Sequence, residues 1–106
     1  ESPMTEALVY PAFDLALAKT QAAIQARDPD RRDQHFTELL KACEDQPERI
    51  RAIAEFAEKE GALESATLFW KSLGALPGHA AVAQRSLQRV ADRRAWLEKH
   101  GDLADI

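Results

Sequence analysis

Residues 47–77 read PERIRAIAEFAEKEGALESATLFWKSLGALP and carry two apolar stripes separated by a glycine. Apolar residues in each stripe recur at positions i, i+3, i+4 and i+7, and a third such stripe precedes them. The three stripes are Phe36/Leu39/Leu40/Cys43, Ile50/Ile53/Ala54/Ala57 and Ala66/Phe69/Trp70/Leu73. This spacing puts the side chains on one face of an α-helix, because one turn takes about 3.6 residues. The chain is therefore predicted to form short amphipathic helices folded back on one another in pairs.

Prolines and glycines mark where the predicted helices begin and end. Pro11 and Pro47 suit the first turn of a helix, where a missing N–H is not needed, and Gly61 suits the position just after a helix. Either Asp28 or Asp30 is a good cap for the helix that follows. The predicted helices cover about residues 10–27, 30–45, 47–60, 62–75 and 79–100, with Gly101 after the last. The predicted fold is all-α, with about five helices in antiparallel helical hairpins.

The composition agrees with a globular helical chain. Among the 106 residues, 45% are apolar and 30% are charged, which is the balance of a folded domain rather than a disordered segment. A chain of this length is expected to form one domain, predicted over residues 10–100 with tails at 1–9 and 101–106. The predicted core includes members of all three stripes: Phe36, Leu40, Ile53, Ala54, Ala66, Phe69 and Leu73.

Two interpretations of the start of the chain stay open. Either Met4 is the native start after an added remnant at residues 1–3, or the chain is a fragment of a longer protein. No apolar run approaches the roughly 20 residues that span a bilayer, so no membrane association is predicted. A cytoplasmic location is expected, with a fragment of an exported protein as the open alternative. Cys43 is the single cysteine, which excludes an internal disulfide, and its apolar stripe predicts a buried thiol.

A faint internal period of 30 residues runs through the sequence. Pro47 and Pro77 are separated by this distance, and so are four pairs of stripe residues. These pairs are Phe36 and Ala66, Leu39 and Phe69, Leu40 and Trp70, and Cys43 and Leu73. Short helix-turn-helix units repeated at about this period predict an α-solenoid.

Residues 47–77 resemble a tetratricopeptide repeat, a unit of two antiparallel helices with small residues where they cross. Ala54 and Ala66 fill the small positions, Trp70 the late aromatic position and Pro77 the position of the closing proline. The run EGALESA, which contains Gly61, is similar to the family's glycine turn followed by an acidic residue and alanine.

The sequence departs from this family in two places. The aromatic position of the first helix falls on Ala57, with Phe56 adjacent, and Pro77 arrives one residue early. The predicted second helix resembles a degraded half of an earlier unit, and the last helix resembles a cap. The resemblance implies a protein-binding scaffold with a groove lined by polar residues of the third helix, namely Arg51, Glu55 and Glu58. The family's clamp for peptide carboxylates is not matched as a set, so that function is not predicted.

Motifs for catalysis or for metal and cofactor binding are not visible in the sequence. His35, His79 and His100 lie far apart, without another ligand at the spacing of a zinc site. There is no glycine-rich phosphate loop, and no serine has the signature of a nucleophile. The sequence therefore predicts no enzymatic activity, no cofactor and no metal, since an enzyme would need a site assembled from distant residues.

The last predicted helix carries the most unusual surface. At about 100° per residue, one arc of about a quarter turn holds four large side chains and Asp92. The four are Arg85, Arg89, Arg93 and Trp96. Residues 79–100 have a local charge of +3, whereas the chain has a net charge of −4. Two interpretations stay open: the arc is an interface, because Trp and Arg are enriched in hot spots, or its arginines pair with the acidic remainder. Leu87, Val90 and Leu97 form another face, predicted to be core.

The predicted function is that of a non-enzymatic protein-interaction adaptor. Its predicted partner-binding residues are Arg85, Arg89, Arg93, Trp96, Arg51 and Glu55. The alternative is a small helical regulatory protein that binds nucleic acid or an acidic partner through the basic arc, and the acidic net charge disfavours nucleic acid. Either self-association or docking onto a partner through an apolar face is also expected, with the first helix as the contributor, because its start is more apolar than a free terminus requires. Its apolar residues are Leu8, Val9, Tyr10 and Phe13.

Overall fold

The structure, a computed structural model, describes residues 10–104 of the chain, with side chains for residues 10–100. This part of the chain contains five α-helices and no strand. They are α1 (Pro11–Gln25), α2 (Pro29–Ala42), α3 (Pro47–Lys59), α4 (Leu63–Gly74) and α5 (Ala80–Ala104). The all-α prediction is confirmed. The end of α5 differs from the prediction, because the helix continues past His100, which has non-helical dihedrals of φ −115° and ψ 15°.

The chain divides into two compact units, Glu1–Glu44 and Asp45–Ile106. In the first unit, α1 packs against α2. In the second unit, α4 packs against both α3 and α5. The prediction of one domain over residues 10–100 stays a prediction, and the predicted tail at 1–9 lies outside the described residues.

Local sequence explains where the helices begin. Pro11, Pro29 and Pro47 each occupy the first turn of a helix, where the backbone N–H has no partner in the helix and proline's φ is already suitable. Of the two candidate caps, Asp28 is the one that acts, because its carboxylate accepts a hydrogen bond from the Arg31 N–H at 3.2 Å. Asp30 lies in the first turn, where a negative charge complements the helix dipole.

The turns of the α1–α2 and α3–α4 hairpins have the same backbone hydrogen bonds. The Asp28 N–H donates to the Ala23 carbonyl at 3.1 Å, and the Ala62 N–H donates to the Ala57 carbonyl at 2.9 Å. Both turns pass through a left-handed residue. The other matching bonds are Ala26 to Ala22 with Glu60 to Phe56, and Arg27 to Ile24 with Gly61 to Glu58. Each bond of the first turn therefore recurs at the equivalent position of the second turn, in the arrangement of a Schellman cap.

Equivalent residues of the two turns, such as Asp28 and Ala62, define a separation along the chain, and several pairs of buried residues lie at that same separation. The equivalent pairs in which both residues are buried are Ala16 and Ile50, Thr20 and Ala54, Ala23 and Ala57, Phe36 and Trp70, and Leu39 and Leu73. The two hairpins therefore repeat at a longer distance than the period taken from Pro47 and Pro77. The two prolines of the shorter period are not equivalent, because Pro47 begins α3 whereas Pro77 lies in the turn before α5.

Six of the seven predicted core residues are buried, from Phe36 in α2 to Leu73 in α4. Leu40 is the exception and is partly exposed, because the buried line of α2 runs through Phe36, Leu39 and Cys43. The thiol of Cys43 is buried as predicted. In α1, the buried residues are Ala16, Thr20 and Ala23, and three larger apolar residues are only half-buried: Phe13, Leu17 and Ile24.

The closest approach of α4 and α5 occurs at Gly74. A Cβ atom placed on this glycine would lie 2.9 Å from the Cβ of Ala83, a distance that real Cβ atoms do not tolerate. Both positions therefore require small residues, because any added methyl group would push the two helices apart. The two helices meet where the chain turns between them, and this fixes how α5 begins on α4.

Candidate functional site

The polar centre of the second unit is a cluster of Glu58, Arg89 and Trp70, which come from α3, α5 and α4 respectively. Arg89 donates two hydrogen bonds to the Glu58 carboxylate, from Nε to Oε1 at 2.9 Å and from Nη2 to Oε2 at 2.7 Å. The indole Nε1–H of Trp70 donates to Oε2 of the same carboxylate at 2.7 Å. A single carboxylate therefore links all three helices of the unit.

Burial makes this cluster stronger than an ordinary surface ion pair. The Glu58 side chain is only 14% exposed, whereas the Arg89 side chain is 55% exposed. The guanidinium carbon of Arg89 also lies 5.8 Å from the centre of the Trp70 ring, within the range of a cation–π contact. Bidentate geometry fixes the guanidinium plane, so that one edge of Arg89 faces Glu58 and the remainder faces solvent.

The ionisation of the cluster follows from these contacts. Partial burial acts to raise the pKa of Glu58, but hydrogen bonds from Arg89 and Trp70, with the nearby charges of Arg89 and Arg93, outweigh it and lower the pKa. The hydrogen bonds to Glu58 raise the pKa of Arg89, and the charge of Glu55 adds to that effect. Both members of the pair are therefore held in their charged forms at neutral pH.

The predicted arc of α5 lies beside this cluster. Arg85 and Arg93 are exposed, and within the described residues neither is hydrogen-bonded or ion-paired to a carboxylate. Trp96 is 57% exposed, and its ring lies 4.5 Å from the ring of His100, tilted by 38°. The arc thus combines one arginine that is anchored internally, two that are available and an aromatic ring open to solvent.

The neighbours of the arc limit its positive charge. Asp92 accepts a hydrogen bond from Gln88 at 2.9 Å and stays exposed. Arg94, next in sequence to Arg93, lies on another side of α5 and approaches Glu64 of α4 at 3.6 Å. The basic residues of α5 therefore divide into two that contact acidic residues of the same unit and others that do not.

The predicted groove residues of α3 are exposed but contact each other. Arg51 and Glu55 form an i, i+4 ion pair at 3.4 Å, with their side chains 56% and 58% exposed. Glu58, predicted to face a groove, instead turns its carboxylate toward Arg89 and Trp70. The two predicted sets of partner-binding residues, one on α3 and one on α5, are thus brought together through Glu58 and Arg89.

Sequence reasoning treated Trp70 only as an apolar core residue and did not pair Glu58 with Arg89. The polar role of Trp70 could have been predicted from the sequence, because the indole N–H of a buried tryptophan needs a hydrogen-bond acceptor. The pairing of Glu58 with Arg89 could not have been predicted, because the two residues are 31 positions apart on helices whose packing no local pattern predicts.

The predicted core face of α5 is only partly correct. Val90 is buried and Leu87 is half-buried, but Leu97 is 37% exposed. The physical reason is length: α5 has 25 residues and α4 has 12, so α4 cannot cover the whole of α5. The last turns of α5 therefore carry apolar surface on both Leu97 and Trp96.

No group of three histidine, cysteine or carboxylate side chains among the described residues is placed to hold a metal ion. His35 instead shares a hydrogen bond of 3.1 Å with Glu38, and this bond lowers the pKa of the Glu38 carboxyl. None of the helices between residues 10 and 104 combines the length and apolar content that a membrane crossing requires.

The first unit offers a different kind of surface. An open furrow of about 370 Å³ lies between α1 and α2, and Leu15, at its edge, is 57% exposed. Tyr10 is 44% exposed and Phe13 is half-buried, while Leu8 and Val9 lie outside the described residues. The apolar start of α1 is thus partly open to solvent, as self-association would require.

No protein-family model, curated protein or solved structure gives a significant match to this chain.

Proposed function

We propose that this protein is a non-enzymatic protein-interaction scaffold built on tetratricopeptide-like helical hairpins, and that it binds its partner across α3 and α5. The observation that carries the proposal is the bond between Glu58 and Arg89. It links α3 to α5, and both helices pack against α4. In a solenoid of two-helix units, the first helices of neighbouring units line one face in this manner.

The repeat distance supports the same proposal. The backbone hydrogen bonds of the turns recur at the separation between Asp28 and Ala62. This separation matches the length of a tetratricopeptide repeat, which is about 34 residues. Small buried residues also stand at the expected helix crossing, since Ala54 and Ala66 are both fully buried. The departures at Ala57 and Pro77 remain differences from the family pattern.

The surface chemistry favours a protein partner over nucleic acid. Arg89 and Arg94 already contact Glu58 and Glu64, so fewer guanidinium groups are available for phosphates. A nucleic-acid complex would lose affinity with salt at about 0.9 log units per log unit of salt for each phosphate neutralised. A scaffold that buries Trp96 together with arginine side chains is expected to show a shallower salt dependence.

The proposal is tested by crosslinking in living cells of the source organism. A photoreactive phenylalanine replaces Glu55 on α3 in one variant and Lys71 on α4 in the control, since both positions are exposed. We expect Glu55 to capture one or a few defined proteins, identified by mass spectrometry, and Lys71 to capture none of them. Equal capture from both positions, or none from either, would contradict the proposal.

A further inference from the structure

We propose that the exposed arc of α5 formed by Arg85, Arg93 and Trp96 binds an acidic peptide segment of a partner protein. In this complex two carboxylates of the peptide pair with the two arginines, and an apolar side chain of the peptide covers Trp96. This inference rests on the proposed function, because it names the chemistry of the partner for the same surface.

Carboxylate recognition on this face is already visible inside the molecule. Arg89, which lies between Arg85 and Arg93 on the same arc, holds the Glu58 carboxylate with two hydrogen bonds of 2.9 and 2.7 Å. The two flanking arginines are exposed, and in the part of the chain that the structure describes neither forms a hydrogen bond or ion pair with a carboxylate, although the charge of Arg93 acts on Glu58 from a distance. Arginine pairs with carboxylates in planar bidentate geometry. Each flanking arginine can therefore bind a carboxylate of a partner in the way that Arg89 binds Glu58.

Asp92 makes the face selective. It lies on the same arc, is exposed and is held by Gln88 at 2.9 Å. A polymer with a negative charge at every unit, such as a nucleic acid, places charges next to this carboxylate and is repelled there. A peptide with separated acidic residues avoids Asp92 while still reaching Arg85 and Arg93.

The helix geometry sets the spacing of the ligand. Arg85 and Arg93 are eight residues apart, which is about 12 Å along a helix at 1.5 Å per residue. An extended peptide covers that distance in about four residues, so its two acids stand at positions i and i+4. Trp96 is about 4.5 Å further along, which places the apolar residue one or two positions beyond the second acid.

Trp96 supplies the apolar anchor. Trp96 is 57% exposed, and its ring centre lies 4.5 Å from that of His100, so the ring is supported by a neighbour and still accessible to a partner. Tryptophan and arginine are the residue types that dominate binding energy at protein interfaces. A ring that is already oriented loses little side-chain freedom when the partner covers it.

The test is selection from a displayed library of random 12-residue peptides on the immobilised full chain. Enriched peptides are expected to carry two Asp or Glu residues about four positions apart, followed by a large apolar residue. The affinity of the best peptide is then measured for four proteins: wild type, the Arg85→Glu/Arg93→Glu double variant, Trp96→Ala and the control Lys71→Glu. Circular dichroism establishes that each variant is folded. We expect losses of about tenfold or more for the first two variants and less than about twofold for Lys71→Glu.

The outcomes separate this inference from the broader proposal. Enriched peptides without acidic residues, acidic peptides that bind the double variant as well as wild type, or no enrichment would each overturn the inference. Crosslinks from position 55 would still support the scaffold function in those cases. Tighter binding of a 20-nucleotide uridine RNA, lost in the same double variant, would assign the arc to nucleic acid instead.

Discussion

The α1–α2 and α3–α4 hairpins share one turn geometry but differ in the residues that fill it. At the left-handed position of the turn, the first hairpin has Arg27 with φ 57° and the second has Gly61 with φ 80°. The same set of backbone hydrogen bonds closes both turns. The difference shows that the backbone pattern, rather than one residue type, defines this turn, although glycine adopts it with less strain.

The second difference lies at the large buried aromatic residue. Phe36 in α2 and Trp70 in α4 occupy equivalent positions, and both are almost completely buried. Phenylalanine needs no polar partner, whereas the Trp70 indole donates to Glu58 at 2.7 Å. The position equivalent to Glu58 in the first hairpin is Ile24, which has no carboxylate to accept such a bond. Within the described residues, this polar cluster belongs to the second hairpin, where it joins α3 and α4 to α5.

The largest expected effect comes from removing that aromatic residue. Trp70→Ala should lower the free energy of unfolding by about 3–5 kcal/mol, because it leaves a large cavity and frees the Glu58 carboxylate. Trp70→Phe makes the second hairpin like the first and should cost about 1.5–3 kcal/mol, the value of one hydrogen bond to a charged group. Urea unfolding measures both variants. A Trp70→Phe variant as stable as wild type would mean that the indole hydrogen bond contributes nothing.

The contact between α4 and α5 gives the next largest effect. Gly74→Ala should destabilise the protein by about 1–3 kcal/mol, since the new Cβ would lie 2.9 Å from the Cβ of Ala83. The double variant Gly74→Ala/Ala83→Gly removes the second methyl group and should recover much of the loss. Thermal unfolding of the single and double variants decides the point, and the absence of any recovery would place the clash elsewhere.

The polar cluster should make stability depend on acidic pH. The pKa of Glu58 in the folded protein lies below its ordinary value of about 4.5, so folding favours the ionised form. The stabilisation is present above the unfolded pKa and is lost as the pH falls through the folded pKa. Wild type should therefore lose stability below about pH 4.5 more steeply than Glu58→Gln, in urea titrations at several pH values.

A parallel loss in the two proteins would contradict this assignment. Arg89→Gln is a useful second control, because removing the arginine takes away its hydrogen bonds and its charge and should flatten the same part of the pH profile. The structure also shows why Arg89→Glu is a poor test of partner binding: it would place a second carboxylate against Glu58, which is only 14% exposed. Arg85 and Arg93 avoid that difficulty.

Substitution of the left-handed residue should change the stability of the protein in opposite directions in the two turns. Gly61→Ala should cost about 1 kcal/mol, because a Cβ is strained at φ 80°. Arg27→Gly should stabilise by up to about 0.5 kcal/mol, since relief of strain at φ 57° exceeds the added entropy of the unfolded chain. Matched thermal melts measure both changes, and destabilisation by Arg27→Gly would show that the arginine side chain itself supports the first hairpin.

The smallest effect on stability is expected at the exposed surface of α1. Leu15→Glu should change the free energy of unfolding by less than about 0.5 kcal/mol, because Leu15 is 57% exposed. If the protein associates through α1, the same change should lower the sedimenting mass at tens of micromolar, while Trp96→Ala should not. A wild-type protein that sediments as a monomer throughout that range would remove the case for self-association.

The positions of the helices were predictable from sequence because helix signals are local. Pro11 and Pro47 begin helices where predicted, and Gly61 adopts the left-handed conformation that ends α3. The stripe residues are buried with few exceptions, because a spacing near 3.6 residues fixes which side of a helix is apolar. Leu40 is partly exposed, because it lies next to the buried side of α2 and not at its centre.

The sequence predicted which residues belong to the candidate site but not that they come together. The arc of α5 and the polar residues of α3 were identified separately, since each follows from the periodicity of one helix. Their meeting at Glu58 and Arg89 was not, because residues 31 positions apart come together only through the packing of α3 and α5 on α4. The exposure of Leu97 has a similar cause, because the length of the neighbouring helix, not the local pattern, determines what is covered.

By itself, the sequence of this protein determined the class of fold, the starts of the helices and the apolar face of most helices, because these depend on residues within a turn or two of one another. The tertiary structure decided the repeat distance of the two hairpins, the close contact of Gly74 with Ala83 and the cluster of Glu58, Arg89 and Trp70. Hydrogen bonds and close contacts between helices depend on distances that only packing sets, and no periodicity along one helix encodes them.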